Sequence, residues 1–314
     1  MLIGIFLTQV TPTVQVFYGD IDELREEVAP STGAYIPTEW GDLPKKLRML
    51  RVIDLTLLNE SLSEIRGYGL TAEEQSLFYG NSTSFIHLDS EGKTFLMYVF
   101  WALGLANNNT ILDRHAHMFE NYTSPIGQAK YGSVDILRLT PEQQALVEDV
   151  TLNSYRPCCN APTIVPDCSH GFAALGLVEF LAYRGMVKED VFRNLLLFNA
   201  YWFTDQYVDI ALFIEEQGQS WKQVNSTQIL GYSYSSLEAY QTIKKYLVES
   251  NLYDPFSEKY LLDPLSRYRQ PVLILLTAIF VTSTLILAWL LWRRWTPNEE
   301  RLEAKDTAAE DGEV

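Results

Sequence analysis

The chain has 314 residues, of which 47% are apolar and 13% aromatic. That supply is ample for one sizeable core or two modest ones and excludes disorder as the overall state. Forty acids against 24 bases leave a net charge of -16. No Lys/Arg-rich run outside the flank of the apolar C-terminal segment offers a phosphate footprint, so nucleic acid is excluded as a partner.

Taken in chain order, residues 1–19, MLIGIFLTQVTPTVQVFYG, have a short apolar start with no basic region before it and no small-residue cleavage site. They read as a truncated signal or anchor, or as a first strand. Residues 20–265 read as a single, mainly α, helical ectodomain with no internal repeat, no alternating strand ladder and no Gly-rich phosphate loop. Lys45 to Arg66 repeats apolar residues at spacings of three and four and stops at Gly67. Thr71 and Glu74 form a capping box that opens a short helix. Thr94 to Ala106 is uncharged but too short to cross a bilayer, which predicts a helix buried on all sides.

Thr140-Pro-Glu-Gln143 is a second start signal, leading into Ala145 to Tyr155. Phe172 to Tyr183 is apolar around most of its circumference and ends at Gly185. Helices from about Glu189 to Phe203, Asp205 to Gln217 and Ser236 to Asn251 follow, with Asp205 read as the cap of the second. Glu179 lies inside an apolar helix, where a carboxylate needs a partner. Asn-x-Ser/Thr triplets stand at Asn59, Asn81, Asn108, Asn121 and Asn225. This tripeptide is common by chance and assigns no function here.

Residues 272–292 carry no charge and at the helical rise reach about 30 Å, the thickness of a bilayer core. Trp289, Trp292 and Trp295 sit where an interfacial belt belongs, and Arg293 and Arg294 close the stretch. The segment is therefore expected to be one C-terminal transmembrane helix. It would be followed by a polar acidic tail over 293–314, with the ectodomain outside the cytoplasm and the lipid bilayer as a partner.

All three cysteines fall within Pro157 to Gly171, PCCNAPTIVPDCSHG, together with His170. Asp167 or Ser169 can cap a helix starting near Gly171, which places Cys168 and His170 beside unpaired N–H groups and the positive end of the helix dipole. That field favours thiolate over thiol. Thiolate and imidazole suit a soft or borderline transition metal, copper or zinc above all. Cys158, Cys159, Cys168 and His170 are thus the candidate ligands, in a spacing that matches neither a zinc finger nor c-type haem attachment. His115, His117 and Asp167 are secondary candidates. The two histidines face one way on a strand but diverge by about 200° on a helix. His87 stands alone and reads as a packed or surface residue.

Other readings of the thiols stand beside the metal site. A disulfide from Cys168 to Cys158 or Cys159 would staple the loop of a structural or interaction module with a protein partner, although the odd cysteine count argues for a site. A thiol oxidoreductase pairing Cys158 or Cys159 with Cys168 is a third reading. There is no GxSxG elbow and no HExxH helix, so no catalytic residue is assigned.

Tyr155 to Asn160, Asp167 to Gly171, Phe100 to Leu112 and Phe198 to Phe203 resemble segments of a group of prokaryotic membrane-associated proteins. The likeness covers roughly residues 95 to 235. This chain carries His-Ala-His within Arg114 to Met118 where that group has a Gly-Pro-Met type turn. The group has no assigned activity, so the resemblance implies no substrate, cofactor or residue role. The sequence reading is a membrane-anchored extracytoplasmic protein that binds a transition metal through Cys158, Cys159, Cys168 and His170.

Overall fold

The computed structural model describes residues 18–119, 124, 126–250 and 282–290. The chain forms two compact units that divide after Tyr253. The first is mainly helical. It begins with α1 (Tyr18–Val28), β1 (Ala34–Gly41), α2 (Leu43–Met49), α3 (Leu55–Arg66), α4 (Ala72–Ser76) and β2 (Ser82–Leu88). Then come α5 (Lys93–Ala106), α6 (Thr110–Phe119), α7 (Pro141–Leu152), α8 (Ser169–Tyr183), α9 (Lys188–Trp202) and α10 (Thr204–Glu216). A 3-10 turn at Trp221–Gln223 leads to α11 (Ser226–Leu230), α12 (Tyr232–Ser235) and α13 (Leu237–Glu249).

The core is centred on α5 and α8, whose apolar sequences leave almost no solvated face; every residue of α8 from Gly171 to Ala182 is buried. A Cβ added to Gly104 would lie 2.0 Å from the Phe172 carbonyl oxygen, and one added to Gly176 would lie 2.2 Å from that of Phe100. The two backbones therefore touch at their crossing, with only hydrogen atoms between them. The aromatic rings of Trp40, Phe100, Phe180 and Phe198 pack around that crossing.

Both capping boxes form as expected: Thr71 accepts from the Glu74 amide at the start of α4, and Thr140 from the Gln143 amide at the start of α7. Three local expectations need correction. The predicted helix from Lys45 to Arg66 is two helices, because Arg51 takes a left-handed φ of 57°. Asp54 then caps a fresh start by accepting from the Thr56 and Leu57 amides. A strand pair is present after all: β1 and β2 run antiparallel, with Tyr35 opposite His87 and a register shift between Ile36 and Glu39. Pro37 sits inside that shift, which is how a residue without an N–H is tolerated in the pair. Asp205 does not cap α10; its carboxylate pairs with Arg25 at 3.0 Å.

The transmembrane expectation is also corrected. Among the described residues no helix is long and apolar enough to cross a membrane. Of the expected span only 282–290 is described, as a helix of about 14 Å at the usual rise, roughly half a bilayer core. The remainder of 272–292 lies outside the described residues, as do residues 1–17 with the expected signal, anchor or strand. A single-pass membrane protein with the bilayer as a partner is accordingly not supported.

Candidate metal centre

The cysteines lie on the connection from α7 to α8, and that connection is tied down along its length. The Tyr155 amide donates to the Leu230 carbonyl, the Thr163 amide to that of Ser154, and the Ile164 amide to that of Thr151. At its outer turn the Leu237 amide donates to the Cys159 carbonyl at 3.0 Å, while the Glu238 amide donates to Asn160 Oδ1 at 2.9 Å. The start of α13 thus clamps the Cys158-Cys159 end. The other end enters α8 directly. Cys168, not Asp167 or Ser169, is the N-cap, and its sulfur accepts from the Gly171 amide at 3.3 Å.

These constraints bring Cys158, Cys168 and His170 together, with one ligand atom from each lying within 4.8 Å of the other two. All three cysteines are free thiols, which corrects the disulfide-stapled reading. Cys158 is exposed and the other two ligands are partly buried, so the cluster faces solvent on one side. Behind it, the His170 ring packs on Phe203 at 4.5 Å and edge-on to Trp202 at 6.4 Å, both at the end of α9.

Charge is unevenly shared among the sulfurs. Hydrogen bonds from Cys158 and Cys159, with further help from His170 and Arg156, hold the Cys168 thiol well below its ordinary pKa. The helix N-terminus acts in the same sense. Cys158 is correspondingly pushed up, since its proton is shared with Cys159 and Cys168. For Cys159 the bond with Cys158 acts downward, but the neighbouring Cys168 and burial outweigh it and the net direction is up.

Arg156, which the sequence reading passed over, is the buried base of the site; its side chain is fully enclosed. One guanidinium nitrogen donates to Thr163 Oγ1 at 3.0 Å, and Thr163 is itself held by Ser154. The other reaches both Cys159 Sγ and Asp167 Oδ1 at 3.2 Å. Burial disfavours this cation, yet the three cysteines and Asp167 together keep its pKa above the ordinary value. Gly171 makes room for it, because a Cβ there would stand 3.1 Å from the guanidinium. The signal was available: Arg156 lies two residues before Cys158 in the same short motif.

The Cys159 sulfur borders the three converging donors: it contacts Cys158 and Cys168 on one side and Arg156 and Asp167 on the other, while Asp167 pairs with the Arg156 guanidinium. His115 and His117 do not join those donors. They lie on α6, where alternate residues diverge, and His115 Nδ1 contacts the Ile111 carbonyl at 2.9 Å. His87 pairs with Asp89 at 3.2 Å and packs on Tyr35. It lines a separate cavity of about 220 Å³ with Trp40, Arg66, Glu74 and Phe95, to which no residue of the cysteine cluster contributes.

Two sulfurs and one imidazole are a donor set that can coordinate a metal ion. In a tetrahedral zinc site with Zn–S near 2.3 Å, sulfurs stand about 3.8 Å apart, so the spread seen here closes with side-chain movements of about 1 Å or less. No protein-family model, curated protein or solved structure matches the chain.

Proposed function

We propose that the protein binds a single soft or borderline transition-metal ion, Cu(I) or Zn(II), through Cys158, Cys168 and His170, and acts as a metal carrier or store. The carrying observation is the convergence of these three donors from two ends of a clamped loop, with no disulfide consuming the sulfurs. The exposure of Cys158 supports exchange of the ion with another ligand at the surface. A site meant only to brace the fold would be closed on all sides. The contacts that lower the Cys168 pKa favour the thiolate form that a metal ion needs, whereas those around Cys158 favour its thiol.

The test is equilibrium competition for Cu(I) and Zn(II) against chromophoric chelators, on the full chain kept reduced. One ion should bind per chain. Cys158→Ser, Cys168→Ser and His170→Ala should each weaken binding by roughly 100-fold or more, since each removes a direct ligand. Replacing His115 or His117 should leave affinity unchanged. Binding unaffected by all three ligand substitutions would sink the proposal.

A further inference from the structure

Resting on that metal reading, we infer that Cys159 supplies a third sulfur to the ion and that Arg156 is the residue that positions it there. Arg156-Pro157-Cys158-Cys159 forms a tight turn, closed by the Cys159 amide donating to the Arg156 carbonyl at 3.3 Å. Proline at the second position presets the backbone for such a turn. Neighbouring side chains diverge on an extended strand. In this turn the Cys158 and Cys159 sulfurs instead meet, and each also contacts the Cys168 sulfur. Two sulfurs from the turn and one from the cap of α8 thus stand in mutual contact. Thiolates sharing one zinc ion lie about 3.8 Å apart, so this triangle already resembles one face of a tetrahedral site, and three sulfurs also suit Cu(I).

Cys159 is fixed from behind. Its carbonyl accepts from the Leu237 amide at 3.0 Å, and its sulfur accepts from Arg156 Nη2 at 3.2 Å. The guanidinium cannot move away: it is fully enclosed, anchored to Thr163 Oγ1 at 3.0 Å, and covered by Gly171, where a Cβ would stand 3.1 Å from it. A donor held against a ligand from outside the coordination sphere is how proteins orient metal ligands.

The fold alone does not account for a cation buried at this place. Arg156 Nε has no hydrogen-bond partner among the described residues, and the one carboxylate paired with the guanidinium, Asp167, is 34% exposed. Three thiolates carry more negative charge than one Cu(I) or Zn(II) ion neutralises, and the guanidinium lies against that excess. Cys158 is the exposed donor, so exchange of the ion with an outside ligand begins there and Cys159 keeps its hold from the inner side.

Cobalt(II) is the probe, because thiolate-to-cobalt charge-transfer absorption counts the sulfurs on the ion. The full chain is titrated anaerobically with a non-thiol reductant. Cys158→Ser, Cys159→Ser and Cys168→Ser should each lose about a third of the charge-transfer intensity. Arg156→Lys keeps a cation but not the fork that reaches Thr163 and the sulfur together, so it should show the same loss as Cys159→Ser. Combining the two substitutions should lose no more than either alone. Should far-UV circular dichroism show that Arg156→Lys does not fold, Thr163→Val is read in its place, since it releases the same guanidinium. Full intensity in Cys159→Ser, with about half lost in Cys158→Ser and in Cys168→Ser, would overturn this inference and leave the metal reading standing. Full intensity in the folded arginine or threonine variant would overturn the role of Arg156. Absence of any thiolate charge-transfer band in wild type, with cobalt(II) and with Cu(I) alike, would defeat the metal reading and this inference together.

Discussion

Glu179 is a fully buried carboxyl on the same helix that presents Cys168 and His170, and its surroundings set two forces against each other. Burial pushes its pKa up to about 8, while hydrogen bonds from Asn109 and Asn107 pull it down. Neither amide can turn away: Asn107 Oδ1 accepts from the Ile136 and Leu137 amides, and Asn109 Oδ1 from the Ile111 amide and Gln144. The raised pKa means that the folded chain holds a proton which the unfolded chain releases above about pH 4.5. The associated stability is complete below that pH, declines as pH rises toward about 8, and is flat beyond. The decline amounts to about 4 to 5 kcal/mol. Glu179→Gln should remove this slope, although its amide nitrogen must face one of the two locked asparagine donors and so costs stability at acid pH. Urea unfolding at pH 5 and pH 8 checks this. Wild type should lose ground to the variant between the two, and parallel losses would show that Glu179 is ionised throughout.

At the scale of elements, the crossing of α5 and α8 fixes where the N-terminus of α8 points, and hence where Cys168 and His170 stand. Gly104→Ala or Gly176→Ala would force a methyl to within about 2 Å of a carbonyl oxygen of the opposite helix. Each should cost at least about 2 to 3 kcal/mol by spreading the pair. Because both methyls demand the same displacement, the double variant should cost clearly less than the sum of the singles in a denaturation cycle. Strict additivity would mean that the helices do not move as a pair. These two helices were legible in the sequence because their signals are local: an uncharged run, a start, a stop at Gly185. The break at Arg51 was not, since the apolar spacing continues through it and only Val52 and Ile53, buried within the turn, explain why the chain pauses there. The strand β1 was hidden by Pro37, which argues against a strand unless the pairing shifts around it. At the site, the cysteines and His170 were legible because they are neighbours in sequence. The buried guanidinium beneath them was not, because its placement depends on Thr163, Ser154 and the missing side chain of Gly171 around Arg156.

For the molecule as a whole, the proposed metal site lies beside an apolar core to which none of its donor residues belongs. The apolar core runs from α1 to α13 through α5, α8 and α9, and the cysteines lie outside it on a clamped surface loop. Small zinc modules behave differently, because there the ion replaces a core too small to fold alone. Here the ion should shift stability only through linkage, binding the folded chain and not the unfolded one. With free metal at about 100 times its dissociation constant the gain is about 2.7 kcal/mol, which for a domain of this size raises the melting temperature by roughly 5 to 10 °C. The gain should shrink as pH falls, because protons compete with the ion for the cysteine sulfurs. Removing the ion with a chelator should reverse the shift and leave the far-UV circular dichroism intact. Collapse of the helical signal on chelation would show instead that the loop and its ion nucleate the fold. A melting temperature indifferent to Cu(I) and Zn(II) at every pH would show that no ion distinguishes the folded chain from the unfolded one.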